Sequence, residues 1–209
     1  MSNSKPNVLW IMADQHRADC IGAYGNRDVQ TPNIDDLAAD GVRFEQCFCA
    51  SPLCTPSRYS ILTGLYPHQH LGWDNQSSIP ADLQTMPREL RRAGYHTAAV
   101  GKMHLSPTYL DVGFDQMTLC EQNGSGRYED DYHAYLRTHD LIDSVDLMDQ
   151  EDTYRNMASP DYWASFGAMT SNLDDEHHST SWIGRHALSE IQGWRPERQN
   201  FLLASASSV

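Results

Sequence analysis

A short segment, Cys54-Thr55-Pro56-Ser57-Arg58, places a potential nucleophile four residues before a cation. Thr55-Pro56 is typical of a helix start, because a polar cap and an early proline both suit a helix N-terminus. We therefore expect Cys54 just before a helix, where backbone N–H groups and Arg58 favour an anion. The residues alone are compatible with a thiolate nucleophile, an oxidised derivative of Cys54, or a structural cysteine. The segment lacks the glycine-rich cradle that a cysteine phosphatase would need.

Two further polar clusters follow apolar runs that are typical of buried strands. Asp14-Gln15 comes after the first such run, and Lys102 and His104 come after a later one. In doubly wound sheets, ligands bind beyond the carboxyl ends of the strands. We therefore expect both clusters to meet the Cys54 segment at one edge of one sheet.

Helices and strands that could position these residues alternate along the chain. Caps, early prolines and closing glycines, together with apolar four-residue spacing, predict helices over 31–41, 55–64, 86–94 and 177–192. Apolar runs predict strands over 7–12, 42–50, 95–100 and from 201 onward. The first strand is expected to be central and buried on both faces, and the first helix to turn Ile34, Leu37 and Ala38 inward. The alternation predicts an α/β fold with a doubly wound, mostly parallel sheet flanked by helices.

The 209 residues carry a formal net charge of −13, which is concentrated in one stretch. Of the 28 acidic and 15 basic residues, 16 and 3 lie between His104 and Glu176, which leaves 12 of each sign elsewhere. Nucleic-acid binding is not expected, since phosphate contacts need clustered Lys and Arg. The part over 105–175 is expected to be an irregular insertion, whose acidity hints at a substrate with cationic or neutral groups.

The cysteines and the N-terminal residues bear on where the protein works. Five cysteines without a CxxC pair argue against a disulfide framework or a zinc knuckle. The first residues do not resemble a secretory signal, and no run of about 18 apolar residues could cross a bilayer. The sequence therefore predicts a cytoplasmic protein that does not engage a membrane.

Five stretches of the chain together resemble the sulfatase family. The Cys54 segment, followed by Leu62-Thr63-Gly64 and Tyr66-Pro67, matches the family's formylglycine signature. The other matching stretches, in chain order, are Pro6-Asn7-Val8 through Asp14-Gln15, Thr31-Pro32-Asn33-Ile34-Asp35, Gly94-Tyr95 through Gly101-Lys102-Met103-His104, and Ser181-Trp182-Ile183-Gly184. The resemblance implies an alkaline-phosphatase-like catalytic fold and a sulfuric ester hydrolase.

The resemblance also implies a nucleophile and a metal site. Cys54 would be oxidised to formylglycine (3-oxoalanine) by a formylglycine-generating or sulfatase-maturing enzyme that reads Cys-x-Pro-x-Arg. Asp14, Gln15 and the modified Cys54 would bind a divalent cation, usually Ca²⁺ with Mg²⁺ as the alternative, because these are hard oxygen donors. The substrate would be a small-molecule sulfate ester.

Three further residues receive roles from the same resemblance. Arg58 would hold the modified residue, Lys102 would neutralise a sulfate oxygen, and His104 would remove a proton from the second hydroxyl of the hydrated aldehyde. No sulfate-specific residue is recognisable, so a phosphonate or phosphate ester hydrolase of the same superfamily stays open.

Later family motifs, including an Asp followed by Asn or His, lack counterparts in this chain. Residues 1–209 are therefore expected to form only part of the N-terminal catalytic domain, incomplete at the C-terminus. Impaired activity, or a non-catalytic remnant, is a further alternative.

Overall fold

A computed structural model describes residues 5–122, 127–194 and 200–206. Its centre is a sheet of four parallel strands in the order β1-β4-β2-β3. The strands are β1 (Val8–Met12), β2 (His96–Gly101), β3 (Gln116–Leu119) and β4 (Phe201–Ala206). Central β4 pairs with both β1 and β2, so the last described residues of the chain lie in the middle of the sheet.

Helices cover both faces of this sheet. The helices of the described residues are α1 (Pro32–Asp40), α2 (Cys54–Thr63), α3 (Pro67–His70), α4 (Met86–Arg92), α5 (Asp131–Thr138), α6 (Ser144–Gln150), α7 (Asp152–Arg155), α8 (Pro160–Ala164) and α9 (Ser179–Gly193). On one face Leu202 packs in a core with Tyr59 of α2, and on the other Leu203 packs with Trp182 of α9. Neighbouring β4 residues point to opposite faces, as strand geometry requires. The predicted doubly wound α/β architecture is confirmed.

Three predictions about the N-terminal region are wrong. β1 is an edge strand of the described sheet, and its outward side chains Leu9 and Ile11 are 49% and 71% exposed. Helix α1 forms as predicted, but Leu37 is 71% exposed instead of turned inward. Residues 42–50 form no strand, because the apolar run has no neighbouring strand to pair with in the described chain. The apolar pattern predicted burial that the sheet order does not provide.

The acidic stretch is more regular than the sequence indicates. It contributes β3 to the sheet and contains α5, α6, α7 and α8, whereas an irregular insertion was expected. These elements are four to eight residues long, which is too short for a clear apolar period. The predictions for α9 and β4 are confirmed, and Ile183 of α9 is buried against the sheet.

Glycine is required at the end of β2. Gly101 has a φ of +95°, which L residues with a side chain rarely adopt, and a Cβ there would lie 2.0 Å from the Ala206 carbonyl oxygen. The close approach turns the chain out of the sheet just before Lys102. Within the described residues, no helix is both long and apolar enough to cross a bilayer.

Candidate active site

Polar residues follow the carboxyl ends of three parallel strands. Asp14 comes two residues after β1, Lys102 directly follows β2, and Glu121 comes two residues after β3. Because the strands are parallel, these residues lie at the same edge of the sheet, as Asp14 and Lys102 were expected to do. Helix α2 begins at this edge, since Cys54 approaches Asp14.

Asp14 is the point where the predicted residues meet. Its Oδ1 lies 3.9 Å from Cys54 Sγ and 3.6 Å from an Arg58 guanidinium nitrogen, and its Oδ2 accepts a hydrogen bond from Lys102 Nζ. Burial raises the pKa of Asp14, but the hydrogen bond and charge of Lys102, with the charge of Arg58, hold it below its ordinary value. The carboxylate is therefore ionised between two cations.

Both cations are themselves buried. Lys102 is 2% exposed and Arg58 is 5% exposed. Arg58 also donates to the Lys102 carbonyl oxygen, and Lys102 Nζ lies 2.5 Å from Gln122 Oε1. A buried pair of cations attracts an anion strongly, because little water screens their charge. With Asp14 ionised, the three side chains keep one net positive charge, which suits a further anion beside them.

Helix α2 begins two residues earlier than the cap and proline predict. Cys54 is the first residue of α2, after the cap residue Leu53, and Pro56 stands in its first turn rather than at its first position. Arg58 lies one helical turn after Cys54, so both side chains reach Asp14. Thr55 donates from its hydroxyl to the His104 carbonyl oxygen over 2.8 Å, which ties the helix start to the loop after β2.

His104 is buried with two unpartnered ring nitrogens. It is 4% exposed, and neither Nδ1 nor Nε2 has a hydrogen-bond partner. Burial, together with the charges of Lys102 and Arg58, lowers its pKa to about 4, against a smaller opposing effect of Asp14. The ring is therefore neutral at pH 7, with a lone pair that can accept a proton. Its φ of +49° is an uncommon conformation for a residue with a side chain.

Glu121 is a site residue that the sequence did not reveal. Its Oε1 accepts the backbone N–H groups of Met103 at 3.0 Å and His104 at 2.9 Å, while Oε2 lies 3.1 Å from His104 N. The carboxylate thereby fixes the unusual backbone of His104. Burial raises the pKa of Glu121 despite these hydrogen bonds. A polar residue after a strand is the signal that could have found it, but β3 itself was not predicted.

The described residues do not fit a complete site for the metal that the family resemblance implies. No three His, Cys, Asp or Glu side chains among residues 5–122, 127–194 and 200–206 are arranged to hold a metal ion. Gln15 is exposed, and both Asp14 oxygens already face cations. Ca²⁺ takes about six to eight oxygen ligands, more than Asp14, Gln15 and Cys54 can provide.

Comparison with known proteins decides the family. The family model named Sulfatase matches residues 6–174, which include every predicted site residue. The chain belongs to the sulfatase family. The matched residues include Cys54 at the start of α2 and Asp14 beyond β1.

Curated sulfatases resemble this chain in sequence over only part of their own length. It is 39% identical to an N-acetylglucosamine-6-O-sulfatase of Bacteroides thetaiotaomicron over 127 residues, which cover 60% of this chain and 22% of the relative. It is 31% identical to an arylsulfatase of Clostridium perfringens over 215 aligned residues, which cover 96% of this chain and 42% of the relative. The chain thus spans less than half of the length of these relatives.

Solved structures confirm the fold assignment. A protein solved in complex with its substrate D-glucosamine-2-N,6-O-disulfate matches 97% of this chain and 34% of its own, with a TM-score of 0.68 and 26% identity. The phosphonate monoester hydrolase of Agrobacterium radiobacter matches 97% of this chain and 41% of its own, with a TM-score of 0.66 and 25% identity. The same fold thus occurs in a protein whose substrate is a sugar disulfate and in a phosphonate monoester hydrolase.

Proposed function

We propose that this chain is part of a sulfuric ester hydrolase and carries its nucleophile, a formylglycine made from Cys54. The observation that carries the proposal is the convergence of Cys54, Arg58 and Lys102 on Asp14, beside the neutral, unpartnered ring of His104. Two buried cations suit a sulfate group, and a buried neutral imidazole suits proton removal. Family membership supports the same chemistry.

Each side chain has a role in the proposed reaction. Arg58 and Lys102 hold the sulfate oxygens, and one oxygen of the hydrated aldehyde at position 54 attacks sulfur. The attacking hydroxyl loses its proton as the bond from sulfur to the ester oxygen breaks, and the alcohol leaves with that proton. His104 then takes the proton of the second hydroxyl, the aldehyde C=O forms again, and the carbon–oxygen bond to sulfate breaks. Asp14 orients the two cations throughout.

In this proposal Asp14, Gln15 and the modified Cys54 would also contribute ligands to a divalent cation, Ca²⁺ or Mg²⁺. Such an ion would polarise the sulfate and favour ionisation of the nucleophilic hydroxyl. It needs more oxygen ligands than Asp14, Gln15 and the modified Cys54 supply.

The first experiment tests the modification. The chain is co-expressed with a formylglycine-generating enzyme, and its tryptic peptides are examined by mass spectrometry for replacement of the Cys54 CH₂–SH by CHO. We expect conversion in the wild type and in Ser57→Ala, which keeps the Cys-x-Pro-x-Arg core, and none in Arg58→Ala. Unmodified Cys54 in the wild type would refute the formylglycine nucleophile and favour a non-catalytic binding module.

The second experiment tests anion recognition. Binding of 4-nitrophenyl sulfate is measured by calorimetry on the wild type, Lys102→Gln and the matched surface variant Lys5→Gln. Loss of one charge-assisted contact costs about 1.5–3 kcal/mol, so Lys102→Gln should weaken binding by roughly tenfold or more. Lys5→Gln should bind as the wild type does. Equal affinity of all three proteins would remove Lys102 from the sulfate site.

A phosphonate ester hydrolase is the second candidate function. The observation in its favour is the fold match to a phosphonate monoester hydrolase over 97% of this chain. Matured chain is assayed with 4-nitrophenyl sulfate and 4-nitrophenyl phenylphosphonate in parallel. Faster turnover of the phosphonate ester by a Cys54-dependent activity would select this alternative.

A further inference from the structure

Two side chains of α2 hold the loop that follows β2. Thr55 Oγ1 donates a hydrogen bond to the His104 carbonyl oxygen over 2.8 Å. The Tyr59 hydroxyl accepts the N–H of Ser106 at 3.1 Å and donates to the Ser77 carbonyl oxygen at 3.1 Å. Thr55 and Tyr59 are both fully buried. The helix that begins at the proposed nucleophile is therefore bonded directly to the chain around the proposed base.

The backbone of His104 needs such contacts. Its φ of +49° is sparsely populated by residues with a side chain, and such a conformation persists only when surrounding groups hold it. Glu121 holds the N–H of His104, and Thr55 holds the carbonyl group on the other side. The ring itself makes no hydrogen bond. The hydrogen bonds that orient the ring are therefore those of its backbone, and they come from the end of β3 and from α2.

The hydroxyl at position 55 is not accounted for by the modification of Cys54. The core that a modifying enzyme would read, Cys-x-Pro-x-Arg, leaves this position open. In the folded chain the Thr55 hydroxyl donates to His104 instead, and its full burial keeps bulk water from taking its place. A buried carbonyl oxygen that loses its donor is left unsatisfied. Removal of this one hydroxyl therefore acts on His104 without altering the side chains of Cys54 and Arg58.

A purely structural role is the alternative interpretation, because buried carbonyl groups are normally hydrogen-bonded. Thr97 of β2 is an example, since it is fully buried and its Oγ1 donates to the Gly113 carbonyl oxygen at 3.1 Å. Thr55 differs in two respects. It directly follows Cys54, and a second side chain of α2, that of Tyr59, bonds to the same loop. The two threonines thus form a matched pair for an experiment.

We propose that Thr55, together with Tyr59, is a positioning residue that holds His104 beside position 54 for the release of sulfate. The inference rests on the proposed function, because it concerns one step of that reaction. In this step a ring nitrogen of His104 takes the proton of the remaining hydroxyl, the aldehyde C=O forms again, and sulfate leaves with the electrons of the carbon–oxygen bond. The alcohol has left earlier. A displaced His104 therefore slows sulfate release and spares alcohol release.

Stopped-flow measurements on the matured chain with 4-nitrophenyl sulfate separate the two steps. Thr55→Val removes the hydroxyl at nearly constant volume, and Thr55→Ser restores it. We expect Thr55→Val to release one equivalent of 4-nitrophenol per formylglycine at the wild-type rate. Its later turnovers should be roughly fivefold to tenfold slower, which is the effect of losing one buried hydrogen bond. Thr55→Ser should behave as the wild type does, and Tyr59→Phe should slow the later turnovers in the same way.

Mass spectrometry supports the kinetic measurement in two ways. The formylglycine content of each variant gives the number of active chains, so that incomplete maturation does not affect the rates. In Thr55→Val quenched during turnover, residue 54 should carry a sulfate ester, because the covalent intermediate accumulates before the slow step.

Thr97→Val is the matched control, because it removes an equally buried hydroxyl that donates to a different loop. It should keep the wild-type rates of both steps. Amide hydrogen exchange adds a measurement that does not depend on turnover. The N–H groups of His104 and Ser106 should exchange roughly fivefold faster or more in Thr55→Val and Tyr59→Phe, while that of Val100 in β2 keeps its wild-type rate.

The possible failures separate this proposal from the proposed function. Wild-type turnover in Thr55→Val, equal slowing of alcohol and sulfate release, or no recovery in Thr55→Ser would overturn the positioning role while the formylglycine mechanism stands. Unchanged hydrogen exchange at His104 in Thr55→Val would overturn it as well. If the matured wild type releases no 4-nitrophenol, the proposed function and the positioning role fall together.

Discussion

Replacing Glu121 with alanine tests the feature that holds His104 in place. The carboxylate is 3% exposed and accepts the N–H groups of Met103 and His104 at 2.9–3.1 Å. Removal leaves two buried N–H groups without an acceptor, and each costs about 1–3 kcal/mol. Release of a buried carboxylate returns part of that cost. We expect the free energy of unfolding to fall by about 2–4 kcal/mol.

Urea unfolding followed by circular dichroism measures this loss. Domains of this kind have a free energy of unfolding of about 5–15 kcal/mol, so the loss should appear as a lower urea concentration at the midpoint. The dependence of the unfolding free energy on urea concentration should stay the same. Glu176→Ala, an exposed acidic residue, is the control and should stay within about 0.5 kcal/mol of the wild type. A Glu121→Ala midpoint equal to that of the control would refute the role of this carboxylate.

Glu121→Gln tests the direction in which the stability of the protein changes with pH. Glutamine keeps one oxygen for both N–H groups, so we expect a smaller loss than in Glu121→Ala. Burial raises the pKa of Glu121 above its ordinary value of 4.5, so the folded wild type binds the proton more tightly than the unfolded chain. The stability that the protonated Glu121 side chain contributes to the wild type is thus lost as pH rises above about 4.5. Glutamine does not titrate, so the variant should gain on the wild type as pH rises, and a constant difference would contradict the argument.

Three further substitutions have defined outcomes. Asp14→Asn leaves two buried cations without their anion and should lower the free energy of unfolding in urea by about 3–5 kcal/mol. Gly101→Ala should abolish cooperative thermal unfolding, because its Cβ would meet the Ala206 carbonyl at 2.0 Å. Wild-type stability should fall by up to about 3 kcal/mol between about pH 6.5 and 4, because the unfolded His104 ring binds a proton there and the folded ring, with a pKa of about 4, does not. His104→Gln should lack this fall, which urea unfolding at several pH values measures.

Local signals predict most of the elements that carry the candidate site. Caps, early prolines and apolar runs locate α2, β2 and β4 within one or two residues, because these signals depend on short stretches of chain. The parallel arrangement then places Asp14 and Lys102 at one edge of the sheet. The meeting of Cys54 with Asp14, forty residues apart, follows from this topology.

Sheet order and short elements are not encoded in such local signals. The apolar run at β1 is equally compatible with a central and an edge strand, and only pairing with β4 decides between them. β3 is four residues long, and its first residue is exposed, so its pattern is too short to recognise. Glu121 stayed hidden for the same reason. The tertiary hydrogen bonds of His104 depend on the position of β3.

Under the proposed formylglycine chemistry, the burial of residues 54–58 sets an order of events during biosynthesis. Thr55 is fully buried and Arg58 is 5% exposed, with its guanidinium held by Asp14 and by the Lys102 carbonyl. An enzyme that reads Cys-x-Pro-x-Arg in this folded chain would have to unfold the start of α2 and break those contacts. Oxidation of Cys54 is therefore expected on the emerging or unfolded polypeptide, and a chain that folds first would be trapped in the thiol form. The speed of folding would then decide what fraction of molecules becomes competent.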